Sequence, residues 1–112
     1  MMAIIAVIKP FRFDEIVDAL HAIGVNGMTV TEVKGHGRQR GHVEHYRGAE
    51  YSVDFIPKIR LEILVDDDAV ERTVNTIVET GRTDKIGDGK VRTAPAGDVV
   101  RIRTGEHGPQ AI

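Results

Sequence analysis

The chain predicts an antiparallel α+β sandwich, in the order β-α-β-β-α-β, with both helices on one face of a single sheet. Three observations point there. A strand-like segment, a helix with an acidic start and a glycine stop occur in that order twice, from Ala3 to Gly24 and from Ile59 to Gly81. Short β-branched or apolar runs follow each helix. A polar, glycine-punctuated stretch from Lys34 to Tyr51 separates the halves and belongs to neither.

Ala3 to Ile8 is continuously apolar, as a strand covered on both faces requires, and Lys9-Pro10 closes it. Phe13, Ile16, Val17, Leu20 and Ile23 recur at helical spacing. Asp14 and Glu15 sit in the first turn, near the positive end of the helix, and Gly24 fits its stop. Met28 to Val33 alternates as a second strand. Past the polar stretch and Pro57, Ile59, Leu61, Ile63 and Val65 alternate with Arg60, Glu62 and Leu64, which places one face of a third strand in the core. Asp66-Asp67-Asp68 opens the second helix, and Asp68 with Glu71 has the spacing of a capping box. Val70, Thr73, Val74, Ile77 and Val78 are its buried stripe, and Gly81 ends it. Val91 to Asp98 is weakly patterned, and Val99 to Arg103 reads as a short final strand.

These elements make a ferredoxin-like βαββαβ sandwich, one domain spanning residues 1–112. Its second sheet face has no helix to cover it, so oligomerisation is expected to hide it. Hydrophobic residues at 41% and charged residues at 29% are ordinary for a soluble globular protein. A net charge of −2 gives no bulk attraction to nucleic acid or acidic lipid. There is no cysteine for disulfide or thiolate chemistry. The apolar start lacks a basic leader and is too short for a signal peptide, and no run approaches a membrane span. A cytoplasmic protein is expected.

Small domains that keep a polar loop as long as Lys34 to Tyr51 usually use it for binding or switching. In the loop from Gly81 to Lys90, Gly87 and Gly89 flank Asp88, with Lys85 and Lys90 nearby. Glycines let backbone N–H groups converge on an anion, and lysines add charge. Val91 after Lys90 rules out a Walker A loop, and the spacing rules out a dinucleotide fingerprint. Taken alone, Gly-Asp-Gly is more often just a turn. Arg101 and Arg103 would share a face of a strand and could converge on one phosphate chain, although alone they read as a charged edge strand. Together the loop and the arginine pair point to a polyphosphate ligand. Lys58 is either an ordinary surface lysine or the partner of a small carboxylate. His42 and His45 flank Glu44 at poor spacing for zinc. Gln39 and Glu44 could give oxygen to Mg²⁺. Tyr51, with Tyr46 as its nearest rival, is a candidate for covalent modification if exposed.

Four blocks, in order, carry a family resemblance. They are Gly27-Met28-Thr29-Val30, the stretch from Lys34 to Tyr51, Lys85-Ile86-Gly87-Asp88-Gly89-Lys90, and the run from Arg101 to Glu106. Over nearly its whole length the chain resembles the PII nitrogen-regulatory signal-transduction proteins. The polar stretch, about 36–56, is similar to their T-loop. Residues 81–90 are similar to their nucleotide loop, and 104–112 form a C-terminal tail.

The resemblance implies a compact homotrimer with ATP or ADP in the clefts between subunits. Thr29 and the backbone near Leu64 would hold the adenine. Gly37, Arg38, Gly87, Asp88, Gly89, Lys90, Arg101 and Arg103 would surround the phosphates. Gln39 would ligate a Mg²⁺ joining ATP to 2-oxoglutarate, whose site Lys58 and the backbone from Gln39 to Gly41 would complete. ADP lacks the γ-phosphate of that magnesium site, so the implied binding is ordered and cooperative. Implied targets are an ammonium channel, which could recruit the protein to the membrane, glutamine-synthetase-modifying enzymes, regulatory kinases or acetylglutamate kinase. Tyr51 matches the position that a nucleotidyltransferase uridylylates or adenylylates in many members, while Ala49 replaces the serine that some relatives phosphorylate.

The chain departs from the family pattern at Asp84, where glycine is usual, at His36, where an aromatic is common, and at Arg92-Thr93-Ala94. A carboxylate at Asp84 near phosphates would weaken nucleotide binding. Other readings are a divergent adenine-nucleotide sensor without a 2-oxoglutarate response, an RNA-binding module, a small ATP-dependent enzyme and a plain interaction domain. The RNA module needs exposed aromatics that Lys58 to Val65 lacks, so no direct nucleic acid binding is expected. The enzyme needs an acid–base or nucleophile constellation beside the phosphates that the sequence does not offer, so a regulatory protein is expected.

Overall fold

The computed structural model describes residues 1–36, 43–46, 49–52 and 55–112, with 43–46 and 49–52 given by their backbone pairing. Six strands and two helices follow in chain order. They are β1 (Met2–Ile8), α1 (Phe13–Ala22), β2 (Thr29–Gly35), β3 (Val43–Tyr46), β4 (Ala49–Ser52), β5 (Ile56–Val65), α2 (Val70–Gly81) and β6 (Gly89–Pro95). β2, β5, β1 and β6 form one sheet in that spatial order, with every pair antiparallel. This is the ferredoxin-like arrangement expected. β3 and β4 pair as a separate hairpin, Glu44 opposite Tyr51, so the polar stretch carries strands of its own.

Strand periodicity builds the core. Ile4, Ala6 and Ile8 of β1 lie opposite Ile63, Leu61 and Ile59 of β5, all on one sheet face. That face meets Ile16 and Leu20 of α1 and Ile77 of α2 in one buried cluster. Burying side chains of this size stabilises the fold by about 1.5–3 kcal/mol each. Gly81 closes the packing between the helices, since a Cβ there would lie 3.3 Å from Ile16 Cδ1.

Helix α1 ends as its sequence predicts. Gly24 takes φ +91, and the N–H groups of Gly24 and Val25 donate to the His21 and Leu20 carbonyls, both at 3.0 Å. This is a Schellman cap. The expected capping box at α2 is absent. A 3-10 turn, Asp67–Ala69, precedes the helix, Ala69 is its N-cap, and no side chain caps it. The turn takes up Asp68, which is therefore not at the position from which a capping box is made.

The final strand also differs from expectation. β6 is Gly89–Pro95, while Val99 to Arg103 makes only a single bridge, between Val100 and His107. Among the described residues β6 is an edge strand paired with β1 alone, so Val91 is enough to pack it on the core. Val99 to Arg103 alternates like a strand, but Gly97 at φ +71 and Gly105 at φ +73 fold the tail back on itself.

Among the described residues no helix is long and apolar enough to cross a membrane. The sheet face away from the helices carries Ala3, Ile5 and Val7 of β1. Beside them in register lie Lys58, Arg60, Glu62 and Leu64 of β5, Thr29, Thr31 and Val33 of β2, and Lys90, Arg92 and Ala94 of β6.

Candidate functional site

The antiparallel order brings four chain segments together at one end of that open face. β1 finishes there at Ile8-Lys9, β2 finishes at Gly35, β5 begins before Lys58, and β6 begins at Gly89-Lys90. The loop between α2 and β6 closes the same end. Strand alternation puts Lys9, Lys58 and Lys90 on the same side as Val7.

Lys58 is 7% exposed, so it is not the ordinary surface lysine that the sequence left possible. Its Nζ donates to the Gly87 carbonyl at 2.5 Å. Its stem lies against Gly35, where a Cβ would come within 3.2 Å of Lys58 Cγ. Burial lowers its pKa below the ordinary lysine value, the charge of Lys9 lowers it further, and Asp88 partly offsets both.

Lys9, also 7% exposed, lies 3.1 Å from Asp88 Oδ1 and donates to the Thr83 hydroxyl at 3.2 Å. Asp88 further accepts from the Thr83 hydroxyl, the Thr83 N–H at 2.7 Å and the Asp84 N–H at 3.0 Å. The Thr83 hydroxyl is the main reason its carboxyl sits far below the usual range, with the Thr83 N–H and Lys9 adding to it against the effect of burial. Gly89 takes φ +100, and a Cβ there would come within 1.8 Å of the Val7 carbonyl oxygen. No residue with a side chain fits at that position. A cavity of about 150 Å³ opens beside the loop, with Ile8, Ile77 and Val78 as apolar lining and Arg82, Asp88 and Lys90 as its charged members.

Among the described residues this cluster holds two buried ammonium groups, Lys9 and Lys58, and one carboxylate, Asp88. With Lys90 exposed beside it, this end of the face can hold an anion. The structure thus brings together Lys58, Gly87, Asp88, Gly89 and Lys90. Thr29 and Leu64 lie toward the other end, opposite Glu62 and Ala3. Leu64 is six strand positions from Lys58, about 20 Å at 3.3 Å per residue.

Arg101 and Arg103 do not share the face of a strand as expected, because they lie in the turn closed by the Gly105 N–H on the Arg101 carbonyl at 2.7 Å. Arg101 is engaged within the tail, on Glu106 at 3.0 Å and on the Ile112 carbonyl at 3.4 Å. The tail follows β6 away from the sheet at the Met1 end, where the Ala96 N–H donates to the Met1 carbonyl.

Gly37, Arg38, Gln39 and Gly41 lie outside the described residues, and so does the Tyr51 side chain. At the edge of that stretch the ring of His36 packs on Phe55, centroids 5.6 Å apart, so histidine still makes an aromatic contact there. Asp84, at φ 63, is the one described non-glycine residue with a left-handed backbone, which gives a conformational reason for glycine at that position. Sequence reasoning missed Lys9 and Thr83. Lys9 was legible in principle, because it continues the odd-numbered alternation of β1 onto the open face.

The fold and this cluster define a ferredoxin-like α+β domain with a cationic, glycine-shaped end. The profile of the nitrogen regulatory protein P-II family matches residues 1–106. The chain is 54% identical to the nitrogen regulatory protein P-II of Azospirillum brasilense and 56% identical to that of Cereibacter sphaeroides, in both cases over all of this chain and all of the relative. It is 56% identical, again over both full lengths, to nitrogen regulatory protein P-II 1 of Escherichia coli strain K12. The chain belongs to the nitrogen regulatory protein P-II family. Its role is nitrogen-regulatory signalling, which acts through target proteins of nitrogen metabolism.

Proposed function

We propose that the protein senses adenine nucleotide and 2-oxoglutarate and passes their occupancy to its targets through the stretch around 36–56. The observation that carries the reading is the buried Lys58 ammonium on the Gly87 carbonyl, with Lys9 and Lys90 beside it and Gly89 held flush against β1. Small anions fit such an end.

The residues divide into two groups. Gly87, Asp88 and Gly89, through their backbone, and Lys90, through its charge, hold phosphates. Thr29 and Leu64 hold the adenine, and Arg101 and Arg103 reach phosphates from the tail. Within one copy the two groups lie at opposite ends of the sheet face, too far apart for one nucleotide. A second copy would supply the missing half, which supports nucleotides held between subunits, and the family resemblance makes that assembly a homotrimer. The half-apolar open face, with Ile5, Val7 and Leu64, is the surface such an assembly would cover.

Lys58 pairs with one carboxylate of 2-oxoglutarate. Gly37, Arg38, Gln39 and Gly41 complete the site, Gln39 as a ligand of Mg²⁺. When bound there, Mg²⁺ would supply the positive charge that lets a dianion sit beside a polyphosphate. Gln39 belongs to the same segment as Tyr51, so ligand occupancy biases that segment only as far as the ligands prefer one of its conformations over another. Nucleotidylation of Tyr51 blocks docking by adding a bulky charged group. Targets of the kind expected are an ammonium channel, which would recruit the protein to the membrane from the cytoplasm, glutamine-synthetase-modifying enzymes or acetylglutamate kinase.

Titration calorimetry with Mg-ATP, then with 2-oxoglutarate in its presence and absence, tests the reading. Binding of 2-oxoglutarate only after Mg-ATP is the expected result. Nucleotide binding without any 2-oxoglutarate response would leave an energy sensor alone. Binding of neither would overturn the proposal.

A further inference from the structure

We propose that the Asp88 side chain is a positioning residue of the nucleotide site. It sets affinity by fixing the backbone from Gly87 to Gly89 and does not itself touch the nucleotide or its metal. The inference rests on the nucleotide reading above.

A carboxylate in a phosphate loop has two obvious fates, to ligate a bridging cation or to turn away into solvent. Asp88 does neither. Its Oδ1 receives the Lys9 ammonium and the Thr83 hydroxyl, and its Oδ2 receives the Thr83 and Asp84 N–H groups. A carboxylate offers about four lone-pair sites, so four converging donors leave none for a metal.

Its neighbours explain why this matters. Gly87 at φ +94 and Gly89 at φ +100 flank it, and glycine is the residue with the widest choice of conformation. Gly87 presents its carbonyl to Lys58, and Gly89 lies against Val7. Asp88 ties this pliable tripeptide to two firm supports. One is Lys9 at the end of a central strand, and the other is the Thr83-Asp84 turn that follows α2. The loop is thereby ordered before any ligand arrives, and preorganisation raises affinity. Asp88 also offsets the charge of Lys9.

The test is calorimetric titration of the full-length protein with ATP and with ADP, each with Mg²⁺ and with a chelator. The variants are Asp88→Ala, Asp88→Asn and Lys9→Met, with melting temperatures measured alongside. Asp88→Ala is expected to raise Kd about tenfold, or about 1.4 kcal/mol, equally for both nucleotides and equally with and without Mg²⁺. Asp88→Asn and Lys9→Met each lose part of that, and Lys9→Met adds nothing in the Asp88→Ala background. A loss confined to Mg²⁺ would make the carboxylate a metal ligand and overturn the proposal. A lower melting temperature with unchanged or tighter Kd would do the same, leaving Asp88 merely structural. If Asp88→Ala does not fold, unchanged Kd values in folded Asp88→Asn and Lys9→Met are equally contrary. A wild-type protein that binds no nucleotide fails at the underlying reading, which is a different result from variants that bind as well as wild type.

Discussion

The ammonium of Lys58 lies 2.5 Å from the carbonyl oxygen of Gly87 and joins the start of β5 to the loop before β6. The bond leaves a charged group 7% exposed, beside a second buried lysine. In the proposed function this charge meets a carboxylate of 2-oxoglutarate. Lys58→Met should therefore keep ATP binding within a few-fold while 2-oxoglutarate binding falls by at least about tenfold, the worth of a single charge-assisted hydrogen bond. Parallel titrations of both ligands check this, and equal loss of the two would contradict it.

The same lysine carries a pH signature. Its pKa is lowered in the folded protein, chiefly by burial. Between that lowered value and the ordinary 10.5, the unfolded chain holds a proton that the folded chain has released. Its contribution to stability therefore rises with pH across that window. Affinity for 2-oxoglutarate, which needs the charged form, falls as pH rises through the same window. Titration of wild type at increasing pH should show this decline earlier than an ordinary lysine would.

Asp88 predicts the opposite limb. Its carboxyl is held below the ordinary aspartate value of 3.8, mainly by the Thr83 hydroxyl. The stability it contributes is present above 3.8 and is lost as pH falls from there toward its folded value. Acid unfolding of Asp88→Asn should be shallower than that of wild type below this point, although the variant is less stable at neutral pH. Identical acid limbs would contradict the hydrogen-bonded geometry.

Two glycines separate steric from conformational demand. Gly89→Ala forces a Cβ into the Val7 carbonyl, so β6 must shift from β1, at a loss of roughly 3 kcal/mol or more. Gly97 has φ +71 but open space around it, so Gly97→Ala should cost only about 1 kcal/mol, for the left-handed backbone alone. Chemical denaturation of both variants measures the contrast.

Asp84 supplies the converse. Asp84→Gly relieves a backbone at φ 63 and should stabilise the protein by up to about 1 kcal/mol. It also removes a largely exposed carboxylate, 3.9 Å from Arg82, from the loop beside the proposed phosphates. Nucleotide affinity should tighten a few-fold at low salt and less at high salt. Weaker binding would show that the carboxylate has a role of its own.

Much of this was legible in the residues because each of these elements carries its own local pattern. The continuous apolar run of β1, the alternation in β5, the stripes of α1 and α2 and the stop at Gly24 are short-range signals that tertiary packing reinforces. The edge strand β6 was not legible, because a strand paired on one side needs only Val91 toward the core and leaves no apolar rhythm. The tail misled for the reverse reason. Val99, Val100 and Ile102 have the right residue types, but two glycines turn the chain before a ladder can form. In the site, Gly87, Gly89, Lys90 and Lys58 stood out by type. Lys9 and Thr83 did not, because their importance comes from Asp88, with which they meet only across the fold.

The central claim is that one cationic end serves a nucleotide and a dicarboxylate in obligatory order. Titration of 2-oxoglutarate into the protein with Mg-ATP, with Mg-ADP and with neither tests it most directly. The account predicts a binding isotherm with Mg-ATP alone. Comparable 2-oxoglutarate binding without nucleotide, or with Mg-ADP, would contradict it.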